Sequence, residues 1–161
     1  MTVAIDVVDG TGLVPDLEAV RRLVEAVLEG EGLSGEIAVA FVPEPAIAGL
    51  NGRYRGADTS TDVLAFDYSG GQGWPGEESG SEVTGELVVC PEVVLRYAAE
   101  EDRDPARQLG WTLTHGALHL AGYDHETDQG EMRAREQQLL SQFESLVRLL
   151  FLGTSADDGG M

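Results

Sequence analysis

There is no lysine in this chain, and its 161 residues include one cysteine, Cys90. Without lysine, Schiff-base chemistry and the phosphate-cradling loop that ends in lysine are excluded. A lone thiol excludes an internal disulfide, a paired-cysteine zinc ribbon and a dithiol redox motif, and it is compatible with a reducing compartment. At the end of an apolar strand, Cys90 reads as a buried residue and not as a nucleophile. No apolar run is long enough for a membrane helix, and the first residues lack the basic and apolar regions of a secretory signal, so cytoplasm is the expected location. Positive charge is scarce as well: ten arginines stand against 29 Asp and Glu, a formal net charge of −19. Such a field repels nucleic acid in bulk. An anionic substrate therefore has to be met by a local arginine cluster, a bound cation, or both.

The length suits one domain with a core of its own, expected over residues 1–152, with an unstructured tail at 153–161. Val3 to Val8 reads as a strand, and Asp16 caps a helix to Glu29 whose apolar positions Leu17, Val20, Val24, Val27 and Leu28 keep helical spacing. Strands are expected at Glu36–Val42, Thr61–Phe66 and Val83–Cys90, with a short helix at Ala46–Tyr54. The glycine-rich acidic stretch from Ser69 to Ser81 reads as a mobile surface loop. Helices follow at Pro91–Glu100 and Pro105–Ala121, and a last one from Asp128 through Phe151, with Glu131 in capping-box position. This order implies a small mixed sheet packed under helices, in an α+β or α/β two-layer design.

All three histidines fall within eleven residues, as His115-Gly116-Ala117-Leu118-His119-Leu120-Ala121-Gly122-Tyr123-Asp124-His125. Four residues apart on a helix, His115 and His119 point the same way. Gly122 can end the helix in the left-handed conformation and turn the chain so that His125 approaches the same point. Three imidazoles with no evident fourth partner suit one zinc ion with an open position, the catalytic pattern, although nickel, cobalt or copper would also be accepted.

The same histidine spacing occurs in metzincin proteases, which place a glutamate general base directly after the first histidine. Here that position is Gly116, which argues against peptide hydrolysis. Phosphodiester cleavage asks less of the protein: a polarising cation, a positioned nucleophile such as a neighbouring 2′-hydroxyl, and positive charge facing the developing anion. The best arginine candidates, Arg53 and Arg55, stand just before a strand. Their simpler reading is a solvated turn pairing with Asp58 and Asp62. Asp124 and Glu126 can orient a histidine or be ordinary turn residues. Tyr123 reads as packing, and Glu136 chiefly as a structural helix residue, with support of a metal ligand as the alternative.

The histidine block, the Asn51–Phe66 stretch, the strand Gly85-Glu86-Leu87-Val88-Val89-Cys90 with Pro91, and Glu131-Met132 with Glu136 together resemble the YbeY family of bacterial rRNA maturation factors, described as zinc-dependent single-strand endoribonucleases. The resemblance spans most of residues 35–150. It implies an α+β fold, zinc held by His115, His119 and His125, and a functional arginine at Arg55. The expected site is then catalytic Arg55, His115 and His119, with substrate contacts from Arg53 and Arg55. It further implies action on the 3′ end of 16S rRNA and in ribosome quality control, with the ribosome, its small-subunit protein S11 and an Era-type GTPase as partners. Two positions depart from the usual pattern, Glu86 where Asp is common and Ala65 where Ser is usual. The competing expectations are a ribosome-assembly factor that acts by binding, with zinc holding the fold, and another zinc hydrolase such as a metallopeptidase.

Overall fold

The computed structural model describes residues 3–14, 16–56, 59–68, 82–124 and 128–150. Its elements in chain order are β1 (Val3–Asp9), α1 (Leu17–Gly30), β2 (Ser34–Phe41), α2 (Glu44–Arg55), β3 (Val63–Asp67), β4 (Glu82–Val89), α3 (Pro91–Glu100), α4 (Pro105–Leu120), α5 (Glu131–Gln142) and α6 (Glu144–Val147). The four strands form one mixed sheet in the order β1-β2-β4-β3. β1, β2 and β4 run parallel, whereas β3 is antiparallel to β4 and forms an edge. The fold is α+β.

Strand alternation sorts the core into two clusters. In β1, Val3, Ile5 and Val7 turn inward while Ala4, Asp6 and Val8 are exposed. Their register partners Ile37 and Val39 in β2, with Val83, Leu87 and Val89 in β4, continue that inner face. Against it pack Val20, Leu23, Val24 and Val27 of α1 and Leu109, Leu113 and Ala117 of α4. Val88, pointing the other way in β4, joins Leu64, Ile47, Cys90 and Val93 in a smaller cluster under α2 and the start of α3. The expected helix start at Asp16 is correct: its carboxylate accepts the Ala19 N–H at 3.0 Å.

The last helix differs from the sequence expectation. Gly130 has φ +104°, so a helix cannot run through it from Asp128. Asp128 instead accepts the N–H groups of Gly130 and Met132, each at 2.9 Å, while Glu131 accepts that of Gln129. The acidic pair therefore builds the turn ahead of α5 and not a capping box. Continuity is lost again at Phe143, beyond which Val147 of α6 rests on Gly110 of α4, 2.9 Å from where a β-carbon would sit. Phe151, the tail at 153–161 and the 69–81 loop lie outside the described residues.

Candidate active site

Helix α4 carries both described histidines. Asp104 caps its start by accepting the Arg107 N–H at 3.1 Å, and Pro105 fills the first turn, where an N–H would have no partner. It ends in the pair of bonds that a left-handed residue permits: the Gly122 N–H donates to the His119 carbonyl and the Tyr123 N–H to that of Leu118, both at 3.0 Å, with Gly122 at φ +103°. This is the ending expected from Gly122.

Close approach to the sheet requires glycine twice. A β-carbon on Gly116 would lie 2.9 Å from Cδ2 of Leu87 and 3.2 Å from Cγ2 of Val63, and one on Gly85 would lie 2.6 Å from the Phe66 carbonyl oxygen and 3.0 Å from Cδ2 of Leu120. The helix thus settles onto β3 and β4, with His115 and His119 at a cavity of about 400 Å³. Their rings lie 4.7 Å apart, edge to face at 86°. Asn51, Arg55, Asp62, Asp67 and Trp111 also line that cavity.

Sequence reasoning named Glu136 but ranked a structural role above support of a histidine. It is 4% exposed, and its two carboxylate oxygens are divided between two donors of α4: the Trp111 indole N–H at 3.1 Å and Nδ1 of His115 at 2.5 Å. A carboxylate oxygen accepts, so Nδ1 is the donor in this contact, and the contact holds the ring's orientation. Trp111 stacks on His115 at 4.8 Å and 21°, fixing the plane of the ring. Positions 111, 115 and 119 recur every four residues and could have been read as one face; the reach from Glu136 depends on how α5 folds back and leaves no mark in local spacing.

A second buried contact holds the opposite wall. The Thr112 hydroxyl donates to Asp62 at 3.0 Å, and the Asp62 carbonyl accepts the Cys90 N–H at 2.9 Å, so the segment entering β3 is tied both to α4 and to the end of β4. Arg55, the last residue of α2, donates from Nη2 to the Ala65 carbonyl at 3.1 Å and thereby joins the cavity. Arg53 does not line it; its guanidinium lies 5.9 Å from the centroid of the exposed Tyr54 ring. Neither arginine forms an ion pair with Asp62. Cys90 is fully buried at the start of α3, and burial pushes its thiol up, as suits an inert residue. Tyr123 packs against the core and donates to Glu31 at 2.9 Å, in keeping with a packing role. Glu86 accepts from the Tyr68 hydroxyl at 3.0 Å.

Among the described residues no three His, Cys, Asp or Glu side chains gather as a cation site. His125, the third expected ligand, lies outside those residues, as do Glu126 and Asp58.

Comparison with known proteins shows the family. The family model described as Endoribonuclease YbeY matches residues 14–144. The chain belongs to the YbeY family. Among its relatives, the Endoribonuclease YbeY of Halorhodospira halophila is 43% identical over 129 residues, covering 79% of this chain and 82% of that protein. The Endoribonuclease YbeY of Desulforamulus reducens is 38% identical over 128 residues, 77% and 84% of the two chains. The solution structure of TM1509 from Thermotoga maritima covers 98% of this chain and 99% of its own, at 30% identity and a TM-score of 0.59. The match to the YbeY model includes the β3 edge, both described histidines and Glu136.

Proposed function

We propose that this YbeY-family chain is a zinc-dependent endoribonuclease that cuts single-stranded RNA, acting on the 3′ end of 16S rRNA and in ribosome quality control. The observation that carries the reading is the His115–Glu136 contact in a cavity shared with His119 and Arg55. With Nδ1 engaged by a carboxylate, His115 has the arrangement usual for a metal-ligating imidazole. The donor chemistry fits zinc, held by His115 and His119 with His125 as the third ligand. A bound zinc supplies a Lewis acid for the phosphodiester and lowers the pKa of water that it holds. The chain's own side chains do the rest: Glu136 and Trp111 hold the His115 ring, and Arg55 offers positive charge to the phosphate.

The partners proposed with this activity are ribosomal RNA, the ribosome with its small-subunit protein S11, and an Era-type GTPase, with the cytoplasm as the location. Among the described residues no helix is long and apolar enough to cross a membrane. Presentation of RNA on a ribosomal partner would offset the repulsion expected from a chain of charge −19.

The test is cleavage of a labelled single-stranded RNA by purified protein, before and after chelation and zinc restoration, beside His119→Ala. Cleavage that needs zinc and is lost in a folded His119→Ala variant supports the enzyme. Unfolding of that variant, together with no cleavage by the intact protein, favours a binding factor with a structural zinc.

A further inference from the structure

We propose that Arg103, Arg107 and Arg133 form a phosphate-binding subsite that holds the RNA backbone beside the cleavage cavity. The proposal rests on the endoribonuclease reading above and says where the strand goes. The three arginines come from the loop before α4, the first turn of α4 and the first turn of α5. They line one cavity of about 280 Å³, closed on its inner side by Trp111 and Glu136.

Three observations favour an external anion there. Carboxylates outnumber arginines by 29 to ten, yet among the described residues none pairs with Arg103, Arg107 or Arg133. Among the described residues the Arg103 guanidinium donates to the neutral amide oxygen of Gln108, at 2.9 Å. Glu136, the acid in the cavity wall, is buried with both oxygens engaged by Trp111 and His115, so neither is paired with the three arginines. Trp111 also lines the cavity of His115, His119 and Arg55, so the two spaces meet at one indole.

A polyanion gains from both spaces at once, which a single small anion does not. Arg55 would lie at the reacting phosphate and the trio at phosphates further along the strand. This also accounts for RNA engagement by an acidic protein: the local array, not the overall field, supplies the attraction. Arginine suits the task because its planar fork matches phosphate oxygens in pairs.

The test is binding of a fluorescein-labelled 2′-O-methyl oligoribonucleotide, which has no free 2′-hydroxyl, followed by anisotropy across a salt series. Single-stranded binding loses about 0.7 from the log–log salt slope per phosphate contact removed. Arg107→Ala with Arg133→Ala is therefore expected to flatten the slope by about 1.4 and to weaken binding roughly 25-fold at 0.1 M salt. The control, Arg22→Ala with Arg148→Ala, makes the same change in net charge on exposed arginines that do not line the cavity; it is expected to leave the slope unchanged. If the two double variants behave alike while the parent binds and cleaves RNA, the subsite is overturned and the enzymatic reading stands. If the parent neither binds nor cleaves RNA, both are overturned.

Discussion

His115 and Glu136 meet at 2.5 Å although they stand 21 residues apart on different helices. The contact holds the ring's orientation, and it closes the space between α4 and α5 with a hydrogen-bonded group where an apolar one would otherwise pack. A structural bond and a tuning bond make different demands on the same substitution.

Replacing Glu136 by Gln keeps the shape and removes the charge. Zinc affinity, measured by chelator competition, is expected to fall by about 10- to 100-fold, the usual cost of losing such a supporting contact. Glu136→Ala should in addition lower thermal stability, because the part-buried indole N–H loses its acceptor, at a cost of about 1 kcal/mol. Unchanged zinc affinity in Glu136→Gln would reduce the contact to packing.

Arg55 and Arg53 separate the site from its surroundings. Arg55→Ala is expected to slow RNA cleavage by about 100-fold or more, as for removal of one donor aimed at developing charge, with melting temperature and zinc content unchanged. Arg53→Ala should slow it less than about threefold, since an exposed cation over a ring contributes only about 0.5–1 kcal/mol to its own surroundings. Equal effects would place both side chains at the substrate.

Gly85→Ala probes the joint between β4 and β3. The added methyl would meet the Phe66 carbonyl at 2.6 Å, and backbone has little freedom to give way. Overpacking of this kind costs about 1–3 kcal/mol, so the melting temperature should drop by about 2–12 °C for a chain of this size. Cleavage should fall with it, because the same strand supplies the Ala65 carbonyl that holds Arg55.

Cys90 should resist a thiol reagent in the native protein and react as one equivalent after denaturation, because burial both shields it and disfavours the thiolate. Rapid native labelling would mean that the start of α3 opens readily.

Much of this arrangement was legible in the residues. Asp16, Pro91 and Pro105 mark helix starts through local bonds, Gly122 marks a helix end, and the spacing of His115 and His119 follows from the helical repeat alone. Less was legible where distant segments meet. Asp128 and Glu131 match a capping box in sequence, but Gly130 takes a positive φ that shifts the helix by three residues. The roles of Glu136, Thr112 and Asp62 depend on contacts across 21 and 50 residues, for which no short pattern exists. The three cavity arginines are likewise scattered in the chain and adjacent only once α4 and α5 are packed.

Gly116 also constrains what descendants of this protein can become. Converting its histidine helix to the peptidase pattern requires one codon change on paper, glycine to glutamate, but the new carboxylate would be driven into Leu87 and Val63 of the sheet beneath. Any lineage moving toward peptide substrates would first have to lift that helix or shrink both neighbours, so the nearest alternative chemistry lies several coordinated mutations away.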